Sequence, residues 1–137
     1  MKLKIFLLPI SIVALLIPTI STAKPICPSH DFTEYLSAFR EDVSLQSAFS
    51  VKSLLWRTYT EDERPVKSYR DISQVSLPLI VDGKQQSQHA LNVQVQKTKA
   101  NHRKVVIGEA ESDAYLMKYY FVKRKACWFL TQVDDLK

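Results

Sequence analysis

The chain has 137 residues, with 19 Lys and Arg against 14 Asp and Glu, which gives a formal net charge of +5. This length suits a single domain of ordinary size. Apolar residues make up 46% and charged residues 24% of the chain, which excludes the disordered and collagen-like classes. Two glycines are too few for a Gly-rich phosphate loop, so nucleotide-binding motifs of that kind are also excluded.

The first 23 residues have the layout of a secretory signal peptide. Lys2 and Lys4 precede an uncharged, mostly apolar run over 5–20, and small residues follow at 21–23. A membrane anchor is the alternative, but the run has 16 residues and two prolines, whereas a spanning helix needs about 20 apolar residues. We therefore expect a signal peptide over 1–23 and a single mature domain over 24–137. That domain would be periplasmic or secreted, with no stable membrane anchor after cleavage.

The mature domain contains two cysteines, Cys27 and Cys127. An even cysteine count in an exported chain favours a disulfide, and this one would close a loop of about 100 residues, worth roughly 4.7 kcal/mol in the chain-entropy model. The alternatives are a pair of buried thiols and a redox site, although the chain has no C-x-x-C motif. His30, His89 and His102 lack metal-ligand spacing, so we expect no metal and no other cofactor.

The clearest predicted element is an amphipathic helix near the start of the mature domain. Asp31 is its predicted N-cap, and Glu34 three residues later completes the pattern of a capping box. Apolar residues recur at helical spacing: Phe32, Tyr35, Leu36, Phe39 and Val43. We expect this stripe to face the core, and a short second helical segment to run over 43–49.

The middle of the domain gives weaker signals. The β-branched and aromatic residues of 51–60 predict a strand, with a continuation of the preceding helix as the alternative, whereas 66–76 is ambiguous. Residues 77–81 are apolar, but the proline within them restricts them to an edge strand or a loop. Asp82 and Gly83 together predict a turn.

The last 50 residues have the patterns of β-structure. Apolar and polar residues alternate over 91–96, as in a half-buried strand. Further runs rich in β-branched and aromatic residues predict three more strands: 104–111, 114–123 and 126–134. Residues 98–103 are expected to form a polar loop, and the basic run at 123–125 a solvated hairpin tip.

Helices followed by a run of strands predict an α+β fold. Consecutive strands with short connections pair most simply as an antiparallel meander. We therefore predict one α+β domain in which the N-terminal helix or helices pack on a curved antiparallel β-sheet, as a one-sided cone.

Two segments carry a resemblance to a known family. They are Phe32-x-x-Tyr35-Leu36-x-x-Phe39-x-x-Asp42-x-x-x-Gln46 and Tyr119-Tyr120-Phe121-x(6)-Trp128-Phe129-Leu130-Thr131-x-x-x-Asp135-Leu136. These segments resemble the first helix and the last hairpin of a bacterial family of small exported domains of unknown function. That family is similar in fold to the cystatin-like cone of nuclear transport factor two and ketosteroid isomerase. The resemblance implies this cone fold and brings no activity, because a fold does not determine a function.

An enzyme on such a cone would use a carboxylate and a tyrosine inside the cavity between helix and sheet. Five residues have the right chemistry: Asp42, Tyr59, Tyr115, Tyr119 and Asp134. Their spacing singles none of them out, and no G-x-S-x-G motif supports a hydrolase. We therefore expect no catalytic residues and a non-enzymatic domain.

The function that we expect is the binding of a small ligand or peptide on the concave face. Five aromatic residues are the candidates to face that ligand: Trp56, Tyr69, Tyr115, Tyr119 and Trp128. Each of them is also a candidate core residue. A closed apolar cavity would favour this function.

The alternative is a protein-partner role, such as an inhibitor or immunity protein of an exported toxin, and a broad exposed patch would favour it. Signal-peptide cleavage would leave a net charge of +3, which is a mild excess, whereas a nucleic-acid footprint needs basic residues clustered on one face, so we expect no nucleic-acid partner.

We predict that the exported protein begins at Lys24. The order of charged, apolar and small residues places the cleavage after Ala23. N-terminal sequencing of the exported protein tests this, and a full-length product retained in the membrane would contradict it.

Overall fold

The computed structural model describes residues 23–112 and 114–136, so the expected signal peptide lies outside the described residues except for Ala23. Within the described part, the chain forms three α-helices, six strands and a 3-10 turn at Ile72–Gln74. The helices are α1 (Phe32–Glu41), α2 (Val43–Ala48) and α3 (Gly83–Gln88). The strands are β1 (Ser50–Tyr59), β2 (Pro65–Asp71), β3 (Leu91–Lys99), β4 (His102–Glu109), β5 (Leu116–Arg124) and β6 (Cys127–Asp135). None of the described helices is both long and apolar enough to cross a membrane.

The six strands form one mixed sheet in the order β2-β1-β6-β5-β4-β3. The strands from β3 to β6 pair as the predicted antiparallel meander, and β1 pairs with β2 in the same way. The expectation of a purely antiparallel sheet is wrong for one pair, because β1 runs parallel to β6. The α+β class holds, with a mixed sheet in place of an antiparallel one.

The break between α1 and α2 explains the parallel pair. Asp42 has an extended backbone and caps α2, with its carboxylate accepting the N–H of Ser44 at 2.7 Å. The second helix then leads to Phe49, whose carbonyl accepts the N–H of Leu130 near the start of β6. The chain therefore enters β1 at the end of the sheet where β6 begins, and the two strands run the same way.

The apolar stripe of α1 packs on the core-facing side of β5 and β6. Phe32, Tyr35 and Phe39 all contact the ring of Phe121, with centroid distances of 5.4, 6.0 and 5.4 Å. All three residues are at most 5% exposed. Val43, which extended the predicted stripe, is 48% exposed because the helix breaks just before it.

One predicted turn and one predicted loop have a different local structure. Asp82 and Gly83 do not form a simple turn: Asp82 caps α3 in a capping box with Gln85. The predicted polar loop over 98–103 is largely strand, because β3 and β4 extend to a tight turn. At the start of α1, Asp31 is the N-cap as predicted, but the Glu34 carboxylate accepts the Ser29 hydroxyl and leaves the capping box incomplete.

A disulfide joins Cys27 to Cys127, as the sequence predicted, with their Cα atoms 5.8 Å apart. It ties the segment before α1 to the first residue of β6. The indole N–H of Trp128 donates to the carbonyl of His30 at 3.2 Å, and the Lys123 ammonium donates to the same carbonyl. The N-terminal segment is thus fixed at one end of the sheet.

We predict that Phe39→Ala lowers the free energy of unfolding by about 3–5 kcal/mol, because a fully buried ring leaves a cavity. Tyr35→Phe in the same helix is the control. The Tyr35 hydroxyl is buried without a hydrogen-bond partner among the described residues, so its removal should be neutral or stabilise the fold by about 1 kcal/mol. Denaturant unfolding measures both, and a near-neutral Phe39→Ala would contradict this packing.

Candidate functional site

The candidate site is a cavity of about 350 Å³ on the core-facing side of the sheet, which we call the mouth pocket. It lies between the loop over 76–81, helix α3 and the ends of β1, β5 and β6. The residues that matter for its chemistry are Trp56, Leu79, Gln85, Tyr115, Tyr119 and Asp135. A volume of this size is at the lower end of the range for small-molecule sites.

Strand register brings the walls of the mouth pocket together. Val133 on β6 registers with both Trp56 on β1 and Tyr119 on β5. Asp135, two residues further along β6, registers with Met117. Because cross-strand partners and residues two apart share a face of the sheet, these side chains all lie on the core-facing side.

The loop that forms the other wall is held by three elements. The Tyr119 hydroxyl donates to the carbonyl of Leu79 at 3.0 Å. The N–H of Leu79 donates to the side-chain oxygen of Gln46, a fully buried residue of α2, at 2.6 Å. From α1, Arg40 donates to the carbonyl of Val81 at 2.8 Å. The wall is therefore formed before any ligand arrives.

Tyr115 and Tyr119, which both line the mouth pocket, share a hydrogen bond and lie near the negative charge of Asp135. Burial raises the pKa of Tyr115 and of Tyr119, and the nearby charge of Asp135 raises both further. Arg40 acts in the opposite direction on the pKa of Tyr119. The hydrogen bond between the two tyrosines lowers the pKa of Tyr115 and raises that of Tyr119.

A second cavity, of about 440 Å³, adjoins the mouth pocket along β2. The two cavities share Trp56 and Ser76. The Arg70 guanidinium lies over the Trp56 ring, 4.0 Å from its centroid, in a cation–π contact. The Trp56 indole N–H is buried and has no hydrogen-bond partner within 23–112 and 114–136.

The structure distributes the five predicted aromatic residues among three environments. Trp56, Tyr115 and Tyr119 line the mouth pocket. Tyr69 contributes to the second cavity and is 72% exposed. Trp128 does not reach either cavity: it is 2% exposed and packs edge-on against Phe32 in the core.

The predicted carboxylates do not enter the mouth pocket. Asp42 is exposed and caps α2. Asp134 registers with Arg57 and Lys118, on the outer face of the sheet, and Tyr59 lies there too, 3.5 Å from the Asp134 carboxylate. The carboxylate at the pocket is Asp135, which sequence analysis did not select.

A β-bulge explains why Asp135 was missed. Along β6, Leu130 registers with Phe121 and Gln132 with Tyr120, so Thr131 is an extra residue without a partner on β5. After this extra residue, each side chain of β6 lies on the opposite face of the sheet from the one that simple alternation predicts. Simple alternation from Trp128 would turn Asp134 toward the core, whereas the bulge turns Asp135 there.

Asp134 is 1% exposed and is the centre of a polar cluster on the outer face of the sheet. Arg57 donates to both of its oxygens, at 2.7 and 2.5 Å. Tyr120 and Gln132 donate to it at 3.0 and 2.7 Å. Burial alone would raise the pKa of Asp134, but the hydrogen bonds from Arg57, Gln132 and Tyr120 outweigh it and lower that pKa.

We predict that Asp134→Asn lowers the free energy of unfolding by about 2–3 kcal/mol at neutral pH, because Arg57 loses its partner. A lowered pKa stabilises the folded state at pH values above the ordinary Asp range. This contribution is lost as the pH falls below about 4, so the variant and the parent should converge in acid.

The matched control is Asp62→Asn, which removes the exposed ion pair with Arg64 and should cost less than about 1 kcal/mol. Denaturant unfolding at several pH values measures both variants. Equal effects of the two substitutions would contradict the structural role of Asp134.

Comparison with known proteins identifies the fold and gives no activity. No family model matches the chain, and no curated protein matches it. An NTF2-like protein from Bacteroides fragilis superposes with a TM-score of 0.53 at 18% sequence identity. The match covers 78% of this chain and 47% of the other, so this chain spans about half the length of that protein.

Two further solved structures are more distant. A DUF4783 family protein from Bacteroides ovatus has a TM-score of 0.43 at 13% identity, with 73% of this chain and 90% of the other covered. An NTF2-like protein of unknown function from Shewanella baltica has a TM-score of 0.40 at 6% identity, with coverages of 72% and 80%. The superposition on the Bacteroides fragilis protein shows that the chain has the fold of the nuclear-transport-factor-two-like proteins, as the resemblance in its two end segments implied.

Proposed function

We propose that this domain is a non-enzymatic binding module, exported from the cytoplasm, that holds a small organic ligand or a peptide side chain in the mouth pocket. The observation that carries the proposal is the convergence of Trp56, Tyr115 and Tyr119 on one preformed cavity beside Asp135. Aromatic walls with a few placed polar groups are typical of ligand sites. The disulfide and the sequence of the first 23 residues support export.

The chemistry of the mouth pocket favours a ligand with an amine and a flat apolar part. The Asp135 carboxylate lines the pocket and supplies negative charge, which raises the pKa of both tyrosines. The Trp56 ring forms part of the wall, and because the Arg70 guanidinium already lies over it, the ring suits the flat apolar part of a ligand rather than its amine. The nearest cation on α1, Arg40, already donates to Val81 and to Gln86, both at 2.8 Å. A longer ligand or a peptide would continue past Trp56 into the second cavity.

A second candidate function is an enzyme in which Asp135 acts as a base beside a tyrosine. The observation in its favour is that Asp135, Tyr115 and Tyr119 line the same cavity. Such a site needs a tyrosine that donates to the developing oxyanion. Tyr119 donates instead to Leu79, so its proton already has an acceptor. This arrangement supports binding over catalysis.

The distribution of exposed apolar residues supports a ligand over a protein partner. The large apolar side chains exposed within the described part are Ile26, Val43, Val66, Tyr69, Leu77 and Val95. They belong to the N-terminal segment, α2, β2, the loop before α3 and β3. A partner site of the inhibitor type requires a larger contiguous patch.

We predict that the mature domain binds tyramine and rejects 4-hydroxyphenylacetate, which has the same ring and the opposite charge. Trp56→Ala should weaken tyramine binding at least about tenfold, equivalent to 1.4 kcal/mol, because the ring forms a wall of the pocket. Tyr69→Ala is the control, since Tyr69 is exposed and lines only the second cavity. Isothermal titration calorimetry and thermal shift measure both ligands on the parent and on each variant.

Equal binding of the acid and the amine would overturn the proposed ligand class. Binding that survives Trp56→Ala unchanged would exclude the mouth pocket as the site. Turnover of a bound ligand that Asp135→Asn abolishes, with binding intact, would favour the enzyme.

A further inference from the structure

One end of the sheet gathers cations that are distant in the sequence. The turns of the β3–β4 and β5–β6 hairpins lie side by side: His102 registers with Val122, and the N–H of Lys123 donates to the carbonyl of Asn101 at 2.8 Å. Seven basic residues lie at these two hairpin ends: Lys97, Lys99, Arg103, Lys104, Lys123, Arg124 and Lys125. No Asp or Glu occurs within 92–108 or 118–133. We call this region the basic end.

The opposite end of the sheet is acidic. The turn after β1, the turn after β4 and the last residues of β6 carry seven described acidic residues there: Glu61, Asp62, Glu63, Glu109, Glu111, Asp134 and Asp135. Both ion pairs formed within 23–112 and 114–136, Arg57–Asp134 and Arg64–Asp62, lie at this end. No ion pair within the described residues therefore neutralises the basic end.

Two of the seven cations have structural contacts. Arg103 donates to the carbonyls of Lys99 and Ala100 and lies 4.8 Å from the centroid of the Trp128 ring. Lys123 donates to the carbonyl of His30. The outermost side chains, at 97, 99, 124 and 125, are exposed. The nearby acidic residues, Asp31 and Glu34, are bound to the start of α1 and to Ser29.

The basic end also carries an exposed apolar side chain. Ile26 is 86% exposed. It precedes Cys27, which the disulfide ties to Cys127, and Cys127 registers with Arg124 at the base of the hairpin tip. The disulfide thus fixes a large apolar residue beside the cations.

We propose that the basic end binds the anionic phospholipid surface of a membrane, with its lysines and arginines on the headgroup phosphates and Ile26 in the interface. Each cation near an anionic leaflet adds to the attraction, and an apolar side chain adds affinity by burial among the acyl chains. A soluble polyanion would gain nothing from Ile26. The disulfide favours an oxidising compartment, in which nucleic acid is not the expected polyanion.

The test uses the chain from Lys24 onward, which contains every described element, and vesicles of phosphatidylcholine with or without phosphatidylglycerol. The triple variant Lys99→Gln, Arg124→Gln and Lys125→Gln removes three exposed cations from the basic end. The control triple Arg64→Gln, Lys67→Gln and Lys84→Gln removes one Arg and two Lys elsewhere and has the same net charge. Co-sedimentation measures binding, and thermal unfolding verifies that all variants are folded.

We expect binding to the anionic vesicles alone. The basic-end triple should weaken it about a hundredfold, and the control triple should leave it nearly unchanged. Ile26→Ser should weaken it about tenfold through the loss of apolar burial. Raising the salt from about 0.1 M to about 1 M should remove the electrostatic part, because the Debye length falls from about 10 to about 3 Å.

Three results would overturn the proposal. Equal losses in the two triple variants would show a response to net charge alone. Equal binding to neutral vesicles would exclude headgroup charge as the cause. Tighter binding of inorganic polyphosphate or duplex DNA, insensitive to Ile26→Ser, would identify a soluble polyanion as the partner.

Discussion

The packing of three α1 rings around Phe121 is the interaction on which the rest of the structure depends. Phe121 lies on β5 next to β6, and Phe32, Tyr35 and Phe39 approach it within 6.0 Å. Among the described residues, no backbone hydrogen bond joins helix α1 to the sheet, so these rings and the contacts around Cys27 and Trp128 fix its direction. Burial of aromatic rings of this size dominates the energetics of a small core.

The direction of α1 determines the mouth pocket at its far end. The last turn of the helix presents Arg40 to the carbonyl of Val81 and Glu41 to the N–H of Gly83. Gln46 on α2 completes the attachment through Leu79. A loop of apolar residues with a proline, which has little structure of its own, thereby becomes a rigid wall opposite β5. A preformed wall spares a ligand the entropic cost of ordering it.

The features that the sequence predicted depend on local spacing or on a single possible pair of residues. The features that it missed depend on how distant segments of the chain meet. The stripe of α1, the alternation in the last strands and the Cys27–Cys127 bridge follow from local spacing or from a single pair, and all three were predicted. The parallel pairing of β1 with β6 depends on how the two helices return the chain, which no strand pattern contains. The bulge at Thr131 depends on the register with β5, and it exchanges the faces of Asp134 and Asp135.

The separation of charge between the two ends of the sheet also depends on residues that are distant in the sequence. It connects the two proposals. Antiparallel hairpins return the chain to the same ends, so the basic turns meet at one end and the acidic turns at the other. Asp135 places the mouth pocket toward the acidic end, where the field favours a cationic ligand. The basic end lies at the far end of the strands, which rise about 3.3 Å per residue, so Met117 and Tyr119 of the pocket lie about 23 and about 17 Å along β5 from Arg124. If the basic end rests on an anionic membrane as we propose, the lining residues of the mouth pocket are held at this distance from the lipid.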